Sequence, residues 1–205
     1  MSSPQTLHDT IKESVPEFQA RLKQKLSQIF QPELVKTEWA TMADERDLYS
    51  PRLDAAIGPF ATNRIYIEEY NRLVRQHESL LLHLFEMHRS NLRGHGQPDN
   101  HFDFEHVCMR NQNARCFMAF EIENEVSRKH LMGGAINAAA LGRVGLAIAW
   151  NPEKLRAFVR MRSYLLFLSE VGKNTFDPSN LLILSKDQVM DIISKHVPKT
   201  LPAHQ

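Results

Sequence analysis

Glu121 and Glu123 stand two positions apart at the end of an apolar run, Cys116 to Phe120. In a strand, residues i and i+2 share a face, so the two carboxylates point the same way. Like charges side by side repel unless a cation lies between them. Mg²⁺ answers that need, because it takes hard oxygen ligands and commonly uses one or two carboxylates plus substrate phosphate.

Other carboxylates can be brought to this pair. Phe102–Met109 and Cys116–Glu123 read as two strands joined by the turn-prone stretch from Arg110 to Arg115. With the turn centred at Gln112–Asn113, Asp103 falls opposite Glu123 or its neighbour, with Glu121 diagonal to it, on strands about 5 Å apart. Glu105 shares the face of Asp103. Asp54, in Pro51-Arg52-Leu53-Asp54 before an apolar strand, is a rival metal-binding aspartate. Glu86 lies near the end of a long helix, with enough chain after it to return to the site. Lys129 follows Glu123 closely enough to reach back to a phosphate or a water. His88, His95 and His101 lack the partners and spacing of a zinc site. A glycine-rich phosphate loop, a nucleophile elbow and a Cys–His arrangement are all missing.

The elements that must hold these residues alternate. Helices are expected over Glu17–Phe30, Asn63–Leu92, Glu125–Leu141, Pro152–Val171 and Lys186–His196. Strands are expected over Leu53–Phe60, over the two hairpin segments, and over Gly145–Trp150 and Asn180–Leu184. Gln31–Ser50 reads as a short helix with loops, and Gly142 as a helix cap. Asn151-Pro152 is an N-cap followed by a first-turn proline. The small residues Gly133, Gly134, Ala135, Ala138, Ala139 and Ala140 suit a helix packed close on a sheet. This order implies an α/β fold, a mixed β-sheet flanked by α-helices.

With 205 residues, the chain has room for one domain with a sizeable core. An N-terminal part (1–62), a core (63–185) and a C-terminal helix and tail (186–205) are expected within it. Apolar and charged contents of 42% and 24% are those of a globular protein, and a net charge of +1 excludes a global polycation. Arg156, Arg160 and Arg162 still form a local basic group. Cys108 and Cys116 sit in apolar contexts that favour reduced thiols. No run approaches the roughly 18 apolar residues of a membrane span. The start of the chain does not read as a signal peptide, so the expected location is cytoplasmic.

Asp103, Glu121-Ile122-Glu123 and the helix that follows resemble the PD-(D/E)XK nuclease superfamily, and within it the BamHI-like restriction endonucleases. That superfamily's core is a helix, a hairpin carrying Asp then Glu-x-Lys, a helix and a further strand. BamHI-like members have Glu in place of the lysine, as here at Glu123, and a Glu on the preceding helix, which Glu86 matches in spacing. The strand from Pro51 to Phe60 also looks like a superfamily strand, with Asp54 as its aspartate. The resemblance implies restriction-type hydrolysis of double-stranded DNA with Mg²⁺ as cofactor. It assigns the metal to Asp103 or Asp54 together with Glu121, and the base role to Glu123 or Lys129. Arg128, Arg156 and Arg160 are the expected DNA contacts, and a homodimer is the simplest way to cut both strands. The alternatives are a lapsed nuclease fold acting as a nucleic-acid-binding or assembly module, and another Mg²⁺-dependent phosphoesterase or RNA-directed nuclease.

Overall fold

The computed structural model describes residues 13–41, 50–61, 64–124, 128–173 and 177–198. Its sheet has five strands: β1 (Val35–Ala40), β2 (Arg52–Ile57), β3 (Cys116–Glu123), β4 (Gly142–Ala149) and β5 (Leu181–Ser185). They lie in chain order across the sheet; β1, β2 and β3 are antiparallel in turn, and β4 and β5 continue parallel to β3. Parallel neighbours need a crossover. α5 (Arg128–Leu141) links β3 to β4, and α6 (Pro152–Glu170) links β4 to β5. α1 (Val15–Ile29) precedes the sheet and α7 (Lys186–His196) follows it. Between β2 and β3 come α2 (Ile67–Gln76), α3 (Glu78–Gly94) and α4 (Phe104–Met109). The expected α/β mixed sheet flanked by helices is therefore present.

Alternation along the strands divides the core. Met118, Phe120, Ile122, Leu146, Ile148, Leu182 and Leu184 join one cluster with side chains of α1, α3 and α7. The other face carries Ala119, Ala147 and Ala149, packed with Ala135, Ala138 and Ala139 of α5 and Phe158 of α6. Glu121 and Glu123 alternate with Phe120 and Ile122, so they belong to the α5 side. Small residues let this helix settle close to the strands. A Cβ on Gly145 would lie 2.6 Å from the carbonyl carbon and oxygen of Ala138. Gly145→Ala is accordingly expected to cost about 1–3 kcal/mol by forcing α5 off the sheet, read as a lower denaturation midpoint.

The free edge of β5 is closed by side chains of α3. His88 Nδ1 accepts the Ile183 N–H at 3.0 Å, and Asn91 Nδ2 donates to the Ile183 carbonyl at 2.9 Å. An edge strand is thereby denied a foreign pairing partner. Burial first, and then the charge of Arg162, hold His88 neutral, with its pKa lowered to about 3. Both cysteines are free and buried, and burial pushes the Cys108 thiol up to about 12. Among the described residues no helix is long and apolar enough to cross a membrane.

Several elements differ from expectation. Phe102–Met109 is not a strand: Asp103 Oδ1 accepts the His106 N–H at 2.7 Å and starts α4. The hairpin partner of β3 is instead β2, with Ala55 opposite Phe120. Residues 35–40, expected to be irregular, form β1, where Val35 and Trp39 are buried and Lys36 and Glu38 exposed. The long helix breaks at His77, whose ring packs on Phe30 with centroids 4.3 Å apart. Gly142 opens β4 rather than capping a helix; a Cβ there would stand 2.8 Å from Ala119 Cβ.

Candidate active site

The pairing of β2 with β3 runs from Ile57↔Met118 to Ala55↔Phe120 and stops there. One residue further, Asp54 takes over with its side chain. Its Oδ2 accepts the Ile122 N–H at 2.6 Å, so a carboxylate stands where a backbone carbonyl would continue the ladder. Its Oδ1 accepts from Gln19 Nε2 of α1 at 3.3 Å, and the same amide holds Glu38 Oε1 at 2.9 Å. Glu38 has φ 50°, a left-handed backbone that a side chain rarely adopts.

The opening beside Asp54 is a cavity of about 490 Å³, walled by Arg52, Asp54, Glu121, Glu123, His130 and Asn137 among others. His130, Gly133, Gly134 and Asn137 recur at the i, i+3, i+4, i+7 spacing of one helix face, which turns this side of α5 to the cavity. Gly134 matters by what it lacks: a Cβ there would touch Glu121 Cβ at 3.4 Å and Oε2 at 3.5 Å. Phe158 of α6 closes the wall. Arg52 lies at the mouth, its Nη1 3.8 Å from Glu38 Oε2.

Asp54 and Glu121 form a coupled pair. Burial first, then the charges of Glu38 and Glu123, raise Asp54 to about 6 against the bond from Ile122. Burial first, then Asp54, raise Glu121 to about 9 against a hydrogen bond with Asn137. The Asp54 and Glu121 side chains also hydrogen-bond to one another. At neutral pH Glu121 therefore holds the proton of the pair and Asp54 is the more acidic member. Even so, Glu121 Oε1 is buried without a hydrogen-bond partner. An orphaned carboxylate oxygen beside a second carboxylate fits a hard divalent cation. Among the described residues no three His, Cys, Asp or Glu side chains form a ready-made cage. The donors on offer are two carboxylates, with room for water or phosphate.

Glu123 is only 8% exposed and also lines the cavity. Lys154, equally buried on α6, lies one turn before Phe158 on the same face. The structure thus brings together Asp54, Glu121 and Glu123. It does not bring Asp103 to them: as the α4 N-cap, Asp103 lines a different cavity with Glu105 and His106. Glu86 is exposed on α3, which packs on β5 and α7, and pairs with Arg89 at 3.4 Å. Arg128 and Lys129 form the first turn of α5, and their side chains lie outside the described residues. Arg156 and Arg160 share an exposed face of α6, whereas Arg162 turns inward and is 5% exposed. Gln19, Glu38, Arg52, His130 and Asn137 were not among the residues expected at the site. The α5 spacing was the available signal for His130 and Asn137; nothing local marks Gln19 or Glu38. Comparison with known protein families, with curated proteins and with solved structures finds no match to this chain.

Proposed function

We propose that the protein is a Mg²⁺-dependent DNA endonuclease of restriction type, hydrolysing phosphodiester bonds at the Asp54–Glu121–Glu123 cavity. The observation that carries this reading is the half-buried Asp54–Glu121 pair, in which Glu121 Oε1 is buried without a hydrogen-bond partner. The element order supports it. A helix, an antiparallel pair bearing Asp and then Glu-x-Glu, a helix and a parallel strand occur in that order, with α2, α3 and α4 inserted between the two strands of the pair where the resemblance implies a hairpin. In that comparison Asp54, not Asp103, stands at the aspartate position.

Asp54 and Glu121 would hold the metal, displacing the proton Glu121 otherwise keeps. Mg²⁺, when bound, supplies Lewis-acid polarisation of the phosphate and a lowered pKa for the attacking water. Glu123, on the same strand face as Glu121, accepts the proton of that water at its carboxylate. Arg52 at the mouth offers a cation to the phosphate, and Asn137 fixes the Glu121 carboxyl. α6, whose Phe158 closes the cavity, presents Arg156 and Arg160 outward as backbone contacts for duplex DNA. Two-strand cleavage calls for a homodimer of this chain.

A second reading, a lapsed site that only binds nucleic acid or a partner, has its own support: three carboxylates share the cavity wall, which repels a phosphate when no metal is held there. Incubation with plasmid DNA, with Mg²⁺ or with EDTA, separates the two. The endonuclease reading expects discrete fragments in Mg²⁺ alone, and faster turnover of duplex DNA than of single strands or RNA. Unchanged plasmid together with a salt-sensitive gel shift would establish the binding module instead.

A further inference from the structure

A second charged cavity lies away from the carboxylates. It has a volume of about 160 Å³, lies between α6 and the segment after α3, and Arg162 is one of its walls. Arg162 is 5% exposed, and its Nε is buried with no hydrogen-bond partner. A buried guanidinium without an anion is costly, since the loss of hydration is not returned by any acceptor. Its neighbours among the described residues do not supply one. The Phe102 ring centroid is 5.9 Å from the guanidinium carbon. His88 is held neutral, and its Nδ1 is already occupied by the Ile183 N–H, so the imidazole is no anion. Burial also lowers the pKa of Arg162 to about 10, which leaves it charged at neutral pH.

The remaining polar wall faces the same way chemically. Ser163 Oγ lies 2.7 Å from Gln97 Oε1 and 3.2 Å from the Val159 carbonyl, with one proton to share between these acceptors, and the Gln97 NH₂ brings two further donors to the wall. His101 adds an imidazole at the rim. Glu170 is the one acidic side chain among the described residues of the wall, and it is exposed to solvent. The cavity therefore offers donors around a buried cation, and its one acid among the described lining residues stands at the exposed rim.

We propose that this cavity is a binding site for a small oxyanion, a phosphate or a carboxylate, held by the Arg162 guanidinium with the Gln97 amide beside it. A guanidinium is suited to such an anion, because its planar fork can meet two oxygens. This site is independent of the endonuclease reading, and neither needs the other.

The test uses the full chain in EDTA, so that no phosphate is held through a metal at the carboxylate cavity. Inorganic phosphate and, separately, acetate are titrated at constant ionic strength against chloride, and binding is followed by calorimetry and by the melting temperature. At least one of the two should bind saturably, raising the melting temperature beyond the general stabilisation by excluded anions. Preference for phosphate or for acetate identifies the oxyanion class. Arg162→Lys keeps the charge but not the fork, and should weaken binding about tenfold or more. Arg162→Met should abolish it while leaving the ligand-free protein at least as stable, because a buried unpaired charge is gone. Glu121→Gln should bind like the wild type. Saturable binding that is equal in wild type and Arg162→Lys overturns the proposal, as does absence of saturable binding of both anions to the wild type.

Discussion

Glu121→Gln should abolish Mg²⁺-dependent cleavage, by about 10³-fold or more if the metal is lost, and at the same time stabilise the metal-free protein at neutral and alkaline pH. The two effects share one cause. Burial and the neighbouring Asp54 charge raise Glu121 to about 9, so the folded protein resists its ionisation. The folded state then binds more protons than the unfolded state between the ordinary carboxylate range and about pH 9. Stability must fall as pH rises through that window. Asp54, raised to about 6, adds to the fall over the lower part of it. The amide introduced by Glu121→Gln cannot ionise, so the variant's stability should be flatter across the window, with a melting temperature higher by roughly 2–4 °C for each kcal/mol relieved. Saturating Mg²⁺ should flatten the wild-type profile in the same way and leave the variant unmoved. A variant that is inactive but no more stable would point to structural damage rather than to a lost metal ligand.

Removal of Arg143 should cost about 3–5 kcal/mol, since each buried acceptor left without its donor costs roughly 1–3 kcal/mol. Arg143 is 1% exposed at the start of β4. Its Nε donates to the Cys108 carbonyl at 2.7 Å, Nη1 to the Asn111 carbonyl at 2.9 Å, and Nη2 to Asn71 Oδ1 at 2.6 Å. Those acceptors belong to α4, to the turn after it and to α2, so one side chain ties the β2–β3 insertion to the sheet. Arg143→Ala leaves three acceptors, one buried and two part-buried, without this donor. Arg143→Lys keeps the charge but cannot fork in three directions, and should lose less. Urea denaturation reads both: a midpoint lower by the amount above for Ala, at similar slope, fits this role. A loss under about 1 kcal/mol would mean the insertion is held by its apolar contacts alone.

How much of this was legible in the sequence depends on how local the signal is. β3 matches its expected bounds, Cys116 to Glu123, because a continuous apolar run followed by alternating acids is a local pattern. The Asn151-Pro152 start of α6 is equally local: Asn151 Oδ1 accepts the Lys154 N–H at 3.0 Å. Glu121 and Glu123 on one face follow from the strand period alone. What failed was pairing. A turn-prone stretch beside β3 suggested a hairpin partner in Phe102–Met109, but the N-cap preference of Asp103 decided for a helix. The true partner, β2, lies far upstream across an insertion of three helices. No local rule gives that distance, and it is the sheet register that brings Asp54, rather than Asp103, beside Glu121. Arg162 shows the same limit in reverse. It lies within a short arginine-rich stretch, but the helix turns it away from Arg156 and Arg160 into the protein.

The most direct test is plasmid cleavage in Mg²⁺ by three proteins side by side: wild type, Asp54→Asn and Asp103→Asn. The Asp54–Glu121 site predicts that wild type and Asp103→Asn cut at comparable rates, while Asp54→Asn leaves the plasmid supercoiled. Cutting by Asp54→Asn at the wild-type rate, or by the wild type in EDTA, would contradict it.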